Sequence, residues 1–134
     1  MKRFKIILGV VVVFSILLLA GCSGNADELD PAFNEEVLKQ SAEGVLMELN
    51  KGNFDAIAAQ VDESAKSVLT AEVLKNAWEP LAEKLGTFDK VSEFKIAPKD
   101  NTATVFVISD YEKGKSQLTL GYNTNMKIIG LWVK

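Results

Sequence analysis

The sequence of 134 residues contains no histidine, one cysteine and one arginine. Without histidine the chain has no imidazole for general acid–base catalysis, no Ser-His-Asp triad and no histidine metal ligand. A single cysteine allows neither an internal disulfide nor a thiolate zinc site. The sequence also lacks a Gly-x-Ser-x-Gly segment, which excludes the nucleophile elbow of an α/β-hydrolase. We therefore predict no enzymatic activity, no metal site and no cofactor.

A short apolar run lies near the N terminus. Lys2, Arg3 and Lys5 precede residues 6–20, which are almost all apolar but fewer than the roughly 20 residues of a bilayer span. A basic start followed by a short apolar stretch is typical of an export signal. The stretch ends in Leu-Ala-Gly-Cys at residues 19–22, which resembles the lipobox of bacterial lipoproteins.

This resemblance implies that residues 1–21 are a lipoprotein signal peptide and that Cys22 is the lipid attachment site. In such lipoproteins the cysteine thiol receives a diacylglyceryl group and the leader is cleaved before it. We expect a mature chain anchored to the extracytoplasmic face of the cell membrane by acyl chains on Cys22. Residues 22–30 are mostly small, polar or acidic, and they are interpreted as a short linker.

The mature chain is acidic. Removal of residues 1–21 takes away three of the 15 Lys and Arg residues and none of the 18 Asp and Glu residues, so the formal net charge falls from −3 to −6. An acidic chain without arginine is unsuited to phosphate backbones, which excludes nucleic acid as a partner. Anionic headgroups repel such a chain too, so its membrane link must come from the acyl chains.

Residues 31–134 are predicted to form one domain that begins with helices. Asp30 and Pro31 suit a helix start, because Asp accepts from the free amides of the first turn and Pro tolerates the first position. Pro80 lies within the third helix and is expected to kink or split it. The predicted helices cover residues 31–51, closed by Gly52; residues 54–61; and residues 71–85, between Thr70 and Gly86. Their predicted apolar faces include Val37 in the first helix and Val73 in the third.

From Phe88 onward the apolar residues alternate as they do in strands. Strands are predicted over residues 88–97, 102–110, 117–123 and 127–133. The turns between them are short, which favours an antiparallel meander, since parallel neighbours need a long crossover. Helices followed by strands predict an α+β fold with the helices packed on one face of a four-stranded antiparallel sheet.

The last strand is apolar on both faces. Strict alternation places Ile128 and Trp132 on one face and Ile129, Leu131 and Val133 on the other. One layer of helices covers one face only, so either the sheet curls over itself or a second molecule covers the far side. The second alternative makes Ile129, Leu131 and Val133 a predicted interface for a homodimer or another protein partner.

Four segments resemble a known family, the domain of unknown function DUF 3887. They are NKGNF at residues 50–54, LKNAW at 74–78, KLGTF at 84–88 and KIIGL at 127–131. This domain occurs in Gram-positive secreted proteins, alone or in front of an α/β-hydrolase. The resemblance implies a nuclear transport factor 2-like, cystatin-like cone, with helices against a curved antiparallel sheet. It implies no catalytic residue.

Six aromatic residues are predicted to line the space between helices and sheet. They form either a filled core or a small apolar pocket in which Tyr122 or Trp132 supplies a polar tip. The six are Trp78, Phe88, Phe94, Phe106, Tyr122 and Trp132. Related cone folds include isomerases with an Asp base and a Tyr donor, and Asp110, Tyr111 and Tyr122 are the candidates for that chemistry. Asp110 lies next to a turn, where Asp is also common for local reasons.

These features together favour a membrane-anchored, non-enzymatic binding or assembly module for a small apolar ligand or a protein partner. One alternative is an accessory domain that acts in trans with a secreted α/β-hydrolase. Another is an isomerase-like enzyme.

Overall fold

The computed structural model describes residues 28–134, in which three α-helices precede four β-strands. The predicted signal peptide and Cys22 lie outside the described residues. Within residues 28–134 no helix is long and apolar enough to cross a membrane. The elements are α1 Glu35–Lys51, α2 Phe54–Ala58, a 3₁₀ turn Glu63–Ala65, α3 Ala71–Leu85, β1 Phe88–Lys99, β2 Thr102–Tyr111, β3 Gly114–Asn123 and β4 Ile128–Val133.

Helix α1 begins four residues later than predicted. Asp30 closes a turn instead, and its carboxylate accepts from the N–H of Ala32 at 2.8 Å. The N-cap is Asn34, whose Oδ1 accepts from the N–H of Val37 at 3.2 Å. Val37 was expected on the apolar face, but it is 46% exposed, and its neighbour Leu38 is buried in its place. The buried residues of α1 are Leu38, Ala42, Val45, Leu46 and Leu49.

Helix α2 ends at Ala58, three residues before the predicted end at Val61. The chain leaves the helix there because it joins the edge of the sheet. The N–H of Ile128 donates to the carbonyl of Gln60 at 2.9 Å, and the N–H of Asp62 donates to the carbonyl of Ile128 at 2.8 Å. Val61 thus forms a parallel bridge with Ile128.

Helix α3 has the predicted ends. Thr70 caps it by accepting from the N–H of Val73 at 3.2 Å, and Gly86 terminates it. Pro80 does not split the helix, which runs unbroken from Ala71 to Leu85. Its ring is exposed, and the buried side chains Leu74, Trp78 and Leu85 hold the helix on both sides of it. Val73 is 46% exposed and does not belong to this buried face.

The sheet is the predicted antiparallel meander, with strand order β1-β2-β3-β4. Residues alternate strictly between buried and half-buried along β2, so one face of the sheet meets the helices and the other does not. The predicted α+β class, with helices packed on a four-stranded antiparallel sheet, is confirmed. Strands β1 and β4 are the two edges.

The face assignment within β4 was wrong because β4 contains a bulge. Tyr122 pairs with Ile128 but its neighbour Gly121 pairs with Gly130, so Ile129 is an extra residue. Beyond the bulge Leu131 pairs with Leu120 and Val133 pairs with Leu118, on the helix-covered face. The predicted interface of Ile129, Leu131 and Val133 therefore does not exist as one surface. On the outer face Ile129 is joined by Trp132 instead.

Substitution of Gly44, within α1, and of Gly52, directly after it, gives a matched test of the C-terminal end of the helix. Gly52 has φ 76°, and a Cβ there would meet nothing within 4 Å, as would a Cβ at Gly44 within the helix. We expect Gly52→Ala to lower the free energy of unfolding by about 1 kcal/mol, because a left-handed backbone disfavours Cβ. Gly44→Ala is expected to raise it by about 0.5–1 kcal/mol through helix propensity. Urea unfolding of residues 23–134, which include all buried core residues of the described range 28–134, measures both. A gain in stability for Gly52→Ala would contradict this helix end.

Candidate binding groove

Three aromatic rings fill the space between α3 and the start of the sheet. The ring centroids of Trp78 and Tyr111 lie 6.1 Å apart, and those of Phe88 and Tyr111 lie 5.4 Å apart in an edge-to-face arrangement. The hydroxyl of Tyr111 donates to Oδ1 of Asn50 at 2.8 Å. Burial raises the pKa of Tyr111 and outweighs the opposite effect of this hydrogen bond. The rings pack on one another and form part of the core.

The other inward-facing aromatics also belong to the core. Tyr122 is fully buried, and its hydroxyl donates to Oγ of Ser41 on α1 at 3.2 Å. Burial raises the pKa of Tyr122. Phe94 pairs with Val107 on the helix-covered face and packs against the buried cluster. Of the two interpretations of these aromatics, the geometry favours a filled core.

Phe106 and Trp132 do not join the other four predicted pocket residues. Phe106 lies between the inward-facing Val105 and Val107 of β2, so its side chain is on the outer face. Trp132 pairs with Thr119 on that same outer face and is 63% exposed. The bulge at Ile129 explains the error for Trp132, since strict alternation from Ile128 predicted the inner face.

Asp110 is separated from the two tyrosines that were its candidate catalytic partners. Tyr111 and Tyr122 face the helices, whereas Asp110 faces outward and accepts from Nζ of Lys115 at 2.6 Å. The hydrogen bond from Lys115 lowers the pKa of Asp110, although partial desolvation opposes it. A lowered pKa makes a carboxylate a weaker base, and the three groups share no site. The structure therefore does not bring together the residues of an isomerase-like centre.

The largest exposed apolar side chains converge on a groove beside β4. Residues 28–134 contain five exposed large apolar side chains, and four of them line this one groove. Their exposed fractions are 66% for Val68, 46% for Val73, 37% for Ile129 and 63% for Trp132. The groove has a volume of about 390 Å³, within the range of ligand pockets. We call it the edge groove; its other lining residues are Ser64, Ala65, Leu69, Gly130 and Leu131.

The position of Trp132 in the edge groove depends on a glycine. An ideal Cβ at Gly130 would lie 2.5 Å from Cη2 and 2.7 Å from Cζ3 of Trp132, so the indole ring lies directly over the Gly130 backbone. Ile129 lies beside the facing Gly121, where a Cβ would come within 3.5 Å of its Cγ1. The absence of a side chain at Gly130 makes room for the indole, whereas a Cβ at Gly121 would be in ordinary contact with Ile129.

Asp62 holds the other wall of the edge groove in place. Its carboxylate accepts from the N–H of Ser64 at 3.0 Å, from the Ser64 hydroxyl at 2.7 Å and from Nδ2 of Asn123 at 3.0 Å. These bonds join the 3₁₀ turn to the end of β3. Hydrogen bonds to Ser64, first from its side chain and then from its backbone, lower the pKa of Asp62.

Sequence reasoning missed the part of the groove that lies outside the sheet. Val68 was not singled out, and Val73 was assigned to the buried face of its helix. The available signal was the apolar pair Val68-Leu69 in a segment with no predicted element, next to the cap Thr70. Without the pairing of Gln60 and Asp62 to Ile128, nothing in the sequence brings this segment to β4.

Comparison with known proteins identifies the family. Residues 42–131 match the family described as "Protein of unknown function (DUF3887)". This range is more than half of the chain, so the chain belongs to that family, as its four motif segments predicted. An NMR structure of a protein from Ruminococcus gnavus ATCC 29149 is similar in fold, with a TM-score of 0.64 and 21% identity. The match covers 79% of this chain and 96% of that one. No match is found among curated proteins.

The wall of the edge groove should be sensitive to acid through Asp62. The pKa of its carboxyl in the folded protein lies below the usual value of 3.8, so the folded state favours the charged form. The stabilisation is therefore fully present above that usual value and is lost as the pH falls through the folded pKa. We expect Asp62→Ala to lower the melting temperature at pH 7 and to approach wild type below pH 3.8. Melting curves of both chains between pH 7 and pH 2 measure this. A constant difference across that range would contradict the assigned role of the carboxylate.

Proposed function

We propose that the protein is a membrane-anchored extracytoplasmic lipoprotein whose domain binds a partner at the edge groove without catalysing a reaction. The observation that carries this proposal is the concentration of exposed apolar side chains at one place. Scattered single apolar residues are normal on a protein surface, whereas a contiguous patch rimmed by polar residues is typical of an interaction site. The groove favours a protein partner or a small apolar ligand.

The energetics of burial support binding at this groove. Each square ångström of apolar surface removed from water contributes about 25 cal/mol. Val68, Val73, Ile129 and Trp132 leave much of this contribution unused in the isolated domain, since they are 37–66% exposed. Trp132 also offers a rigid aromatic surface and an indole N–H, a combination that is enriched at binding hot spots.

The filled interior of the domain supports the proposal that binding takes place at the edge groove, on the outside. We propose that the domain is a nuclear transport factor 2-like, cystatin-like cone whose inner space holds core side chains. Trp78, Tyr111 and Tyr122 occupy that space, and the hydroxyls of the two tyrosines donate to Asn50 and Ser41 of α1. Binding is then left to the outside of the fold.

A substitution that replaces only the sulfur of Cys22 by oxygen tests the lipid anchor. We expect Cys22→Ser in the full chain to abolish lipid attachment, because a hydroxyl cannot replace the thiol in the lipobox reaction. The variant should leave the Triton-extractable membrane fraction or keep its leader uncleaved, and metabolic labelling with palmitate should disappear. A matched Ser23→Ala variant should remain lipidated. Membrane retention and labelling of Cys22→Ser equal to wild type would contradict the lipoprotein proposal.

Substitutions of two equally exposed valines, one inside the edge groove and one outside it, test whether the groove binds apolar molecules. Val73 in the groove and Val37 on α1 are both 46% exposed. We expect Val73→Ser to reduce the fluorescence enhancement of the apolar dye anilinonaphthalene sulfonate several-fold, because it removes an apolar wall. Val37→Ser should leave the enhancement unchanged. Titration of residues 23–134 at low micromolar concentration with the dye measures this. Equal effects of the two substitutions would contradict a binding role for the groove.

A further inference from the structure

We propose that the partner at the edge groove is a second copy of this chain, whose β4 pairs antiparallel with the first β4. This inference rests on the proposed binding function and names the partner for that same site. Three observations carry it: the contrast between the two sheet edges, the direction of the free backbone groups of β4, and the charges at the two ends of the groove.

The two edges of the sheet differ in their protection against strand pairing. Edge strands in monomers are normally blocked by Pro, by charged residues or by bulges. Strand β1 has all three: Pro98, register shifts at Phe88/Lys90 and Val91/Glu93, and outward charges. Strand β4 is protected only in its first part, by the bulge at Ile129 and by Gln60 and Asp62, which bond to Ile128. Its Leu131–Val133 segment contains no Pro, no charged residue and no bulge. The chain therefore blocks β1 along its length and leaves the end of β4 able to pair.

The hydrogen-bonding pattern shows which groups of β4 are free to pair. Gln117 and Lys134 form a hydrogen-bonded pair. The N–H of Gln117 donates to the carbonyl of Lys134 at 2.8 Å, and the N–H of Lys134 donates to the carbonyl of Gln117 at 3.1 Å. Hydrogen-bonded and non-hydrogen-bonded pairs alternate in an antiparallel ladder. Trp132 and Gly130 therefore bond to β3, whereas the N–H and C=O of Leu131 and Val133 point to the open edge. Gln60 and Asp62 already occupy the edge at Ile128.

One register satisfies these free groups without displacing the residues at Ile128. Leu131 of each copy pairs with Val133 of the other, and the two-fold axis passes between the two Trp132 residues. Each Leu131–Val133 pair exchanges two backbone bonds, so the contact supplies four. The two indoles then meet on the outer face as a cross-strand aromatic pair. A register shifted toward the N terminus would bring Lys134 against the occupied edge at Ile128.

The charges at the groove ends are complementary under this two-fold symmetry. Lys134 is exposed at the C-terminal end of β4 and forms no salt bridge in the described part of the chain. Asp62 and Glu63 follow the edge at the opposite end. The Glu63 side chain is 90% exposed, and its only ion pair within the described residues is with Nζ of Lys66 at the long distance of 3.9 Å. Antiparallel pairing directs Lys134 of each copy toward Asp62 and Glu63 of the other. Because of the two-fold symmetry, this contact between opposite charges forms at both ends of the interface. It favours a second copy of the chain over an uncharged peptide as the partner.

Disulfide trapping in the full chain tests this register. The two Trp132 positions form a non-hydrogen-bonded pair with a Cα separation of about 4.5 Å, which a disulfide can bridge. Trp132→Cys in membranes, oxidised with copper phenanthroline, should give a covalent dimer at least tenfold more abundant than Thr119→Cys. Thr119 is the matched control, because it lies on the same face one strand further in. Wild type, whose only cysteine is the proposed lipid-attachment residue Cys22, is the blank.

A second substitution separates strand pairing from chance collision. Val133→Pro removes an N–H that points to the open edge and that β3 does not use, so the fold should persist. Added to Trp132→Cys, it should reduce the covalent dimer at least tenfold, whereas Val133→Ala should not. Circular dichroism of the purified variants verifies the fold.

The outcomes distinguish this inference from the proposed function. Trp132→Cys dimers no more abundant than those of Thr119→Cys, or dimers insensitive to Val133→Pro in a folded chain, would overturn β4 pairing. If the dye still distinguishes Val73→Ser from Val37→Ser in that case, the groove binds a different partner and the proposed function stands. If both experiments fail, the proposed function fails as well.

Discussion

A single extra residue in the last strand determines both the core and the exposed surface of this protein. Ile129 bulges out opposite the Gly121–Tyr122 step, so the residues before and after it keep their contacts with the helices. Ile128 is completely buried, and Leu131 is nearly so. The same bulge leaves Trp132 on the outer face, over Gly130. In a regular strand without the bulge, Ile128 would lie on the opposite face from Leu131 and Val133. One side of this pairing would then lose its contacts with the helices.

The features that the sequence predicted correctly are set by neighbours in the chain. Gly52 ends α1, Thr70 and Gly86 bound α3, and short turns join the strands, because capping and turn chemistry act over a few residues. The start of α1 was misplaced because Asp30 and Asn34 are both good capping residues. In the structure Asp30 caps the turn that precedes the helix and Asn34 caps the helix itself.

The groove could not be predicted because it depends on contacts between distant residues. Strand alternation gives faces only while pairing is regular, and the bulge at Ile129 becomes evident only when β4 is aligned with β3. Val68 and Val73 reach β4 because Gln60 and Asp62 bond to Ile128 more than 60 residues away. The local pattern at Val73 is that of an ordinary helix face. Burial against the rest of the fold decides that Leu74 and Trp78 are inside and Val73 is not.

The apolar residues of the domain divide between a filled core and the exposed groove at which we propose that a partner binds. Aromatic rings and two satisfied tyrosine hydroxyls fill the space beneath the helices, whereas the exposed side chains of the edge groove lie outside the buried core.

We propose that the Leu131–Val133 edge, which is open in the single domain, is the site of association. Amide hydrogen exchange at Gly130, Leu131, Trp132 and Val133 tests it most directly. We expect slow exchange at Gly130 and Trp132 at every protein concentration. At Leu131 and Val133 we expect fast exchange in dilute solution and increasing protection as the concentration rises. Protection at Leu131 and Val133 that does not change with concentration would contradict the account.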